Sequence, residues 1–122
     1  MTNTAKALYS FFSGFGIPAY VEYNPPDDAQ LPYITYQLIE PDWRDTANMY
    51  ARVWYRSTSW VDINAKVDEI KRAIGYGKTL PTEDGGVLLL NCGSPFAQEQ
   101  PMEGDDTLKV IYLNITLNAF TL

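Results

Sequence analysis

The chain has 122 residues, 46% of them apolar and 20% charged, with one cysteine and no histidine. That size and composition fit one domain spanning residues 1–122 and able to bury its own core, and they exclude a disordered tail or a disulfide-stapled secreted module. Fifteen acidic against nine basic residues leave a net charge of −6, which excludes a firm grip on duplex DNA, because that grip needs cations to displace counterions from phosphate.

The start, "MTNTAKALYSFFSGFG", has one lysine and a short, polar-interrupted apolar run. It makes a poor secretory signal, and no apolar stretch of about 18 residues follows, so the expectation is synthesis in the cytoplasm with no membrane span. Within it, residues 3–14 read as a first helix capped by Thr2 or Asn3, with Ala5, Leu8, Tyr9, Phe12 and Phe15 as its apolar stripe. Gly14, Gly16 and Pro18 stop it. Strands follow at 19–23 and 33–40, separated by the proline- and aspartate-rich loop "NPPDDAQLP". "PDWRDTA" connects to a strand at 48–56, read as antiparallel.

Three small hydroxyl residues then join that strand to a second helix. Ser59 is the expected N-cap, with Asp62 in the position that completes a capping box, although Ser57 or Thr58 can also serve. Ile63, Val67, Ile70 and Ile74 form one stripe, and Gly75 and Gly77 end the helix. "KTLPTEDGG" reads as a connection to a strand at 87–91. Residues 93–107 show no periodicity and read as a long loop, either a segment reserved for a partner or a solvated one. The longest strand, 108–120, puts Ile111, Leu113, Ile115 and Leu117 on one face and Tyr112, Asn114, Thr116 and Asn118 on the other. The order α-β-β-β-α-β-β predicts an α+β fold, a mostly antiparallel sheet with two helices packed on one face. The opposite face would be wet or covered by another subunit. The nine tyrosines either serve such a contact or simply fill strands.

Catalytic signatures are lacking. Without histidine the usual general base, the triads built on it and most zinc sites are removed. Cys92 follows an apolar strand with no cation in sight and reads as an inert thiol. The pairs Asp27-Asp28 and Asp105-Asp106 match no calcium loop and read as solvated carboxylates rather than a cation site. "GYGKT" lacks the G-x-x-x-x-G-K-S/T spacing and follows a helix instead of opening one. The sequence predicts no enzyme, no metal and no cofactor.

Several stretches in this order, "GFGIPAYVEYNPP", "LPYITYQL", "RVWYRSTSWVDINAKVDEI" with "KRAIGYGKTL", "LLNCGSPFAQEQ" and "LKVIYLNITL", resemble small tail-terminator (tail-completion) proteins of long-tailed bacteriophages and prophages. The resemblance spans nearly the whole chain. It implies an α+β fold and a structural virion protein of the tail: a ring of self-associated copies, usually six, that caps the tail tube and ends polymerisation of the major tail-tube protein. The ring also offers a surface to the head–tail connector, and DNA passes through without specific binding. A head-completion or minor tail protein is the alternative within that class, and a small ligand- or cation-binding α+β domain the alternative outside it.

A head-to-tail contact that closes by rotation gives a ring, and the two edges of an open sheet can supply one. The acidic balance suits a bore that repels phosphate. The candidate interface residues are Phe96, Met102, Glu103, Asp105 and Asp106 in the long loop, together with Trp43 and Arg44 in the second inter-strand connection, since Trp and Arg dominate binding hot spots. Trp43 folding back onto the sheet is the other reading there. Trp54 and Trp60 are expected to pin the strand–helix joint as core or near-core residues.

Overall fold

A computed structural model describes residues 2–42 and 45–121, with nothing described of the Thr121 side chain. The elements run α1 (Asn3–Phe12), a 3-10 turn (Ser13–Phe15), β1 (Ala19–Val21), β2 (Tyr33–Tyr36), β3 (Ala47–Arg56), α2 (Val61–Ile74), β4 (Lys78–Pro81), β5 (Gly86–Pro101) and β6 (Leu108–Thr121). The strands form one sheet in the order β1-β2-β3-β6-β5-β4. All neighbours are antiparallel except β1 and β2, which pair in parallel. The expected α+β architecture is present, with both helices on one face.

That face is where burial concentrates. Leu8 and Phe12 of α1 and Ile63, Val67, Ile70 and Ile74 of α2 share one cluster with Ile34, Val53, Leu88, Leu90 and the odd-numbered Ile111 to Leu117 of β6. The period-2 pattern of β6 and the 3.6-residue stripe of α2 meet each other, which is why both were legible. Thr2 caps α1 as expected, its hydroxyl accepting from the Ala5 N–H at 3.0 Å. Gly75 closes α2 at φ +57°, a conformation open to glycine, with its N–H on the Lys71 carbonyl at 2.9 Å.

Five expectations are corrected. Tyr9 leaves the apolar stripe of α1 and is 49% exposed, because its position turns toward solvent while Leu8 and Phe12 point inward. The capping box at α2 does not form. Trp60 holds the N-cap position without a side-chain bond, and Ser59 Oγ accepts instead from the Val61 N–H two residues on. "KTLP" is the edge strand β4, too short to show a period. Trp54, expected as core or near-core, is not among the residues packed on the core cluster. It lies half-buried on the face away from the helices and donates its indole N–H to Thr35 Oγ1 at 2.9 Å, whereas Trp60 does pack against the core cluster.

Residues 93–101 are not a loop but the second half of β5, and only 102–107 remain as a turn. The register with β6 slips between Cys92 and Ala97, where a bulge carries a cis Ser94–Pro95 bond. Asn114 Nδ2 clasps the bulge by donating to the Pro95 carbonyl at 2.8 Å. Beyond it, 97–101 pair with β6 alone. An edge strand exposed on much of both faces has no reason to alternate apolar with polar, and an edge tolerates Pro101.

Candidate interaction surface

Two surfaces stand out once the core is removed: the uncovered sheet face, and the end of the sheet where β5 turns into β6.

On the uncovered face the register lines up Arg52 between Thr35 and Tyr112. Its guanidinium lies over the Tyr50 ring at 5.0 Å and the Tyr112 ring at 5.5 Å, and those rings stack at 5.1 Å. Glu22, just past β1, accepts from both Arg52 and the Tyr50 hydroxyl. That hydrogen bond to a carboxylate raises the Tyr50 pKa above its ordinary value. Tyr33 joins the row, 5.7 Å from Tyr20 and 6.0 Å from Trp54. The tyrosines thus fill a polar-aromatic face held by a half-buried ion pair. β6 announced its own share of this face. Arg52 and Glu22 carried no local signal, since only the β1–β2 pairing brings Glu22 within reach.

At the sheet end, the turn 102–107 is tied to the strand–helix joint. Arg56 donates to Asp105 at 3.0 Å and to the Thr107 hydroxyl at 2.8 Å. Thr107 donates its hydroxyl (2.7 Å) and backbone N–H (3.1 Å) to the same carboxylate. The Ser57 N–H reaches the Thr107 carbonyl at 2.7 Å. The tight joint therefore anchors a hairpin tip. Beside it, a concavity of about 410 Å³ opens between Gln30, Leu31, Tyr33, Trp54, Arg56 and Leu108.

The predicted interface residues separate on this frame. Met102, Glu103, Asp105 and Asp106 come together in the turn, with Met102 39% exposed. Asp105 braces the turn, and the Asp106 carbonyl accepts from Lys109, whose ammonium sits 5.3 Å from the Trp60 ring. Phe96 does not join them. It lies in the bulge, half-buried against the core. Trp43 and Arg44 lie outside the described residues. Cys92 is half-buried against the core, and burial pushes its thiol pKa up, away from reactivity, although Lys71, a cation the sequence did not place near it, pulls the other way. Among the described residues no group of three or more metal-ligating side chains converges, and no helix is long and apolar enough to cross a membrane.

The hydrogen bonds from Thr107, then the Arg56 guanidinium, hold the Asp105 carboxyl down to about 2. A folded-state value below the ordinary 3.8 means that this bracing is complete above the ordinary carboxylate range. It is lost as pH falls through the lowered value. A carboxyl ¹³C titration should give Asp105 a midpoint of about 2. Thr107→Val should raise that midpoint more than Arg56→Gln does. A wild-type midpoint near the ordinary value would show that the brace is not formed.

No protein-family model matches the chain, and no curated protein matches it in sequence. Among solved structures, a chain from the structure described as "Virion of native gene transfer agent (GTA) particle" superimposes with a TM-score of 0.68, at 16% identity, over 98% of each chain. At that identity the likeness establishes that the two chains share a fold from end to end.

Proposed function

We propose that this chain is a non-catalytic structural subunit of a phage-like virion, and more specifically a tail-terminator ring protein. Six copies would cap the tail tube, stop the major tail-tube protein from adding, and present a face to the head–tail connector. The observation that carries this reading is the full-length structural correspondence with a chain of a gene transfer agent virion, which agrees with the resemblance in the sequence. The site geometry is consistent with it. The polar-aromatic sheet face and the braced turn 102–107 would serve as contact surfaces, since aromatic and arginine side chains suit protein interfaces. In this role Met102 and Glu103 at the turn meet a neighbouring virion part. The net charge of −6 per chain keeps the translocating DNA from adhering.

Electron microscopy of the purified protein mixed with tail tubes tests this directly. The expected result is density at one tube end and tube length that no longer grows on addition of tube subunits. Tubes that keep elongating, with bare ends, would refute the terminator role. Density found only on isolated head connectors would assign a head-completion role instead.

A further inference from the structure

The cations of this chain divide into two groups. Among the described residues, Lys6, Arg52, Arg56 and Lys66 each hold an ion pair, and Lys109 is buried under Trp60. The other three, Lys71, Arg72 and Lys78, have no ion-pair partner there, and Arg72 donates only to the Asp68 carbonyl at 3.4 Å. All three are exposed and sit at one corner, where the last turn of α2 meets the start of β4. Lys71 and Arg72 border an open concavity of about 570 Å³ with Tyr76 and Asn91, and Tyr76 is fully exposed. At the same corner β4 ends its pairing at Lys78 opposite Leu90. From Asn91 onward the outer edge of β5 has no strand beside it among the described residues.

The opposite border of the sheet has the opposite sign. The connections on either side of β2 carry Asp27, Asp28 and Glu40, all exposed and none ion-paired among the described residues. β1 and β4 are the two outermost strands. With strands spaced by roughly 4.8 Å the borders lie on the order of 24 Å apart, too far for the charges to meet within one chain. Among the described residues, three exposed cations at one border and Asp27, Asp28 and Glu40 at the other hold no ion pair.

We propose that these borders are the two halves of one contact: the α2–β4 corner and open β5 edge of one copy receive the acidic β1–β2 border of the next. Repeated with a fixed rotation, that head-to-tail contact closes into a ring. The inference rests on the ring reading above for its biological purpose, while the contact itself is a property of two identical chains. The charges steer approach and fix which border meets which. The exposed Tyr76 supplies apolar area at the centre.

Sedimentation velocity of the full chain at millimolar concentration and low ionic strength tests it. Wild type should self-associate, and more weakly as salt screens the exposed charges. Lys71→Glu/Arg72→Glu/Lys78→Glu and Asp27→Lys/Asp28→Lys/Glu40→Lys should each associate on the order of tenfold more weakly or not at all. Both should melt like wild type, since every altered side chain is exposed. An equimolar mixture of the two variants should recover association. A monomeric wild type, an undiminished variant or a mixture that does not recover each overturns the proposal. So does a wild type that uses the three cations to hold a DNA fragment and does not associate with itself. Association that follows these rules in a protein that leaves tail tubes uncapped would remove the tail role and keep the contact. Capping by a variant that no longer associates would do the reverse.

Discussion

Phe12→Ala should cost about 3–5 kcal/mol of folding stability, the range for deleting a buried aromatic side chain. Phe12 is fully buried. Its ring stacks on Tyr36 at 4.7 Å and meets the edge of Phe11 at 5.1 Å, so it couples the end of α1 to β2. Tyr36 is itself so enclosed that burial raises its pKa, and a vacated Phe12 site has little freedom to collapse around so rigid a neighbour. A domain of this size holds roughly 5–15 kcal/mol in total, so the loss is a large share. Urea denaturation should show a much lower midpoint at nearly unchanged slope. Tyr9→Ala on the same helix is the internal control. Exposed as it is, it should change stability by only about 0.5 kcal/mol. Equal costs at the two positions would mean that α1 packs by a different face.

Gly93→Ala should cost about 1–3 kcal/mol. A Cβ on Gly93 would lie 2.8 Å from the Asn114 Cβ and 3.0 Å from both its backbone carbon and oxygen. Backbone in the middle of β6 cannot move aside cheaply. The strain would fall on the bulge, forcing β5 away from β6 and loosening the Asn114 clasp on Pro95. Amide exchange should therefore rise through 97–101 and into the turn 102–107, and the Asp105 midpoint should climb toward the ordinary carboxylate value. Ser94→Ala, next door and exposed, should do neither and stay within about 0.5 kcal/mol. If Gly93→Ala matched it, the close passage of the two strands would be disproved.

The two changes sample parts of the molecule that differ in how far local sequence specified them. The stripe of α2 and the alternation of β6 were readable because each faces one apolar layer along its whole length, so burial imprints the period of the element on the residue order. The helix stops, the Thr2 cap and the α+β class follow from equally local chemistry. The expected hydroxyl cap at Ser59 failed because Trp60, packed on the core, takes the N-cap position itself. The lower half of β5 was unreadable for another reason. It is held by backbone bonds to β6 on one side only, and backbone pairing leaves no mark on side-chain pattern.

The candidate surfaces were legible to a lesser depth. Missing histidine and an acidic balance spoke against catalysis and DNA gripping, and alternation in β6 pointed to a second, polar-aromatic face. The residues that build the surfaces are distant in the chain: Glu22 with Arg52, Arg56 with Asp105, and the bare cations of α2 and β4 opposite the acidic connections around β2. The sequence by itself determined the helices, the main strands and their layering, because those depend on the period of burial. Only the tertiary structure decided strand order, the β5 edge and which charges stay unpaired, because these are set by neighbours that pairing, not proximity in the chain, brings together.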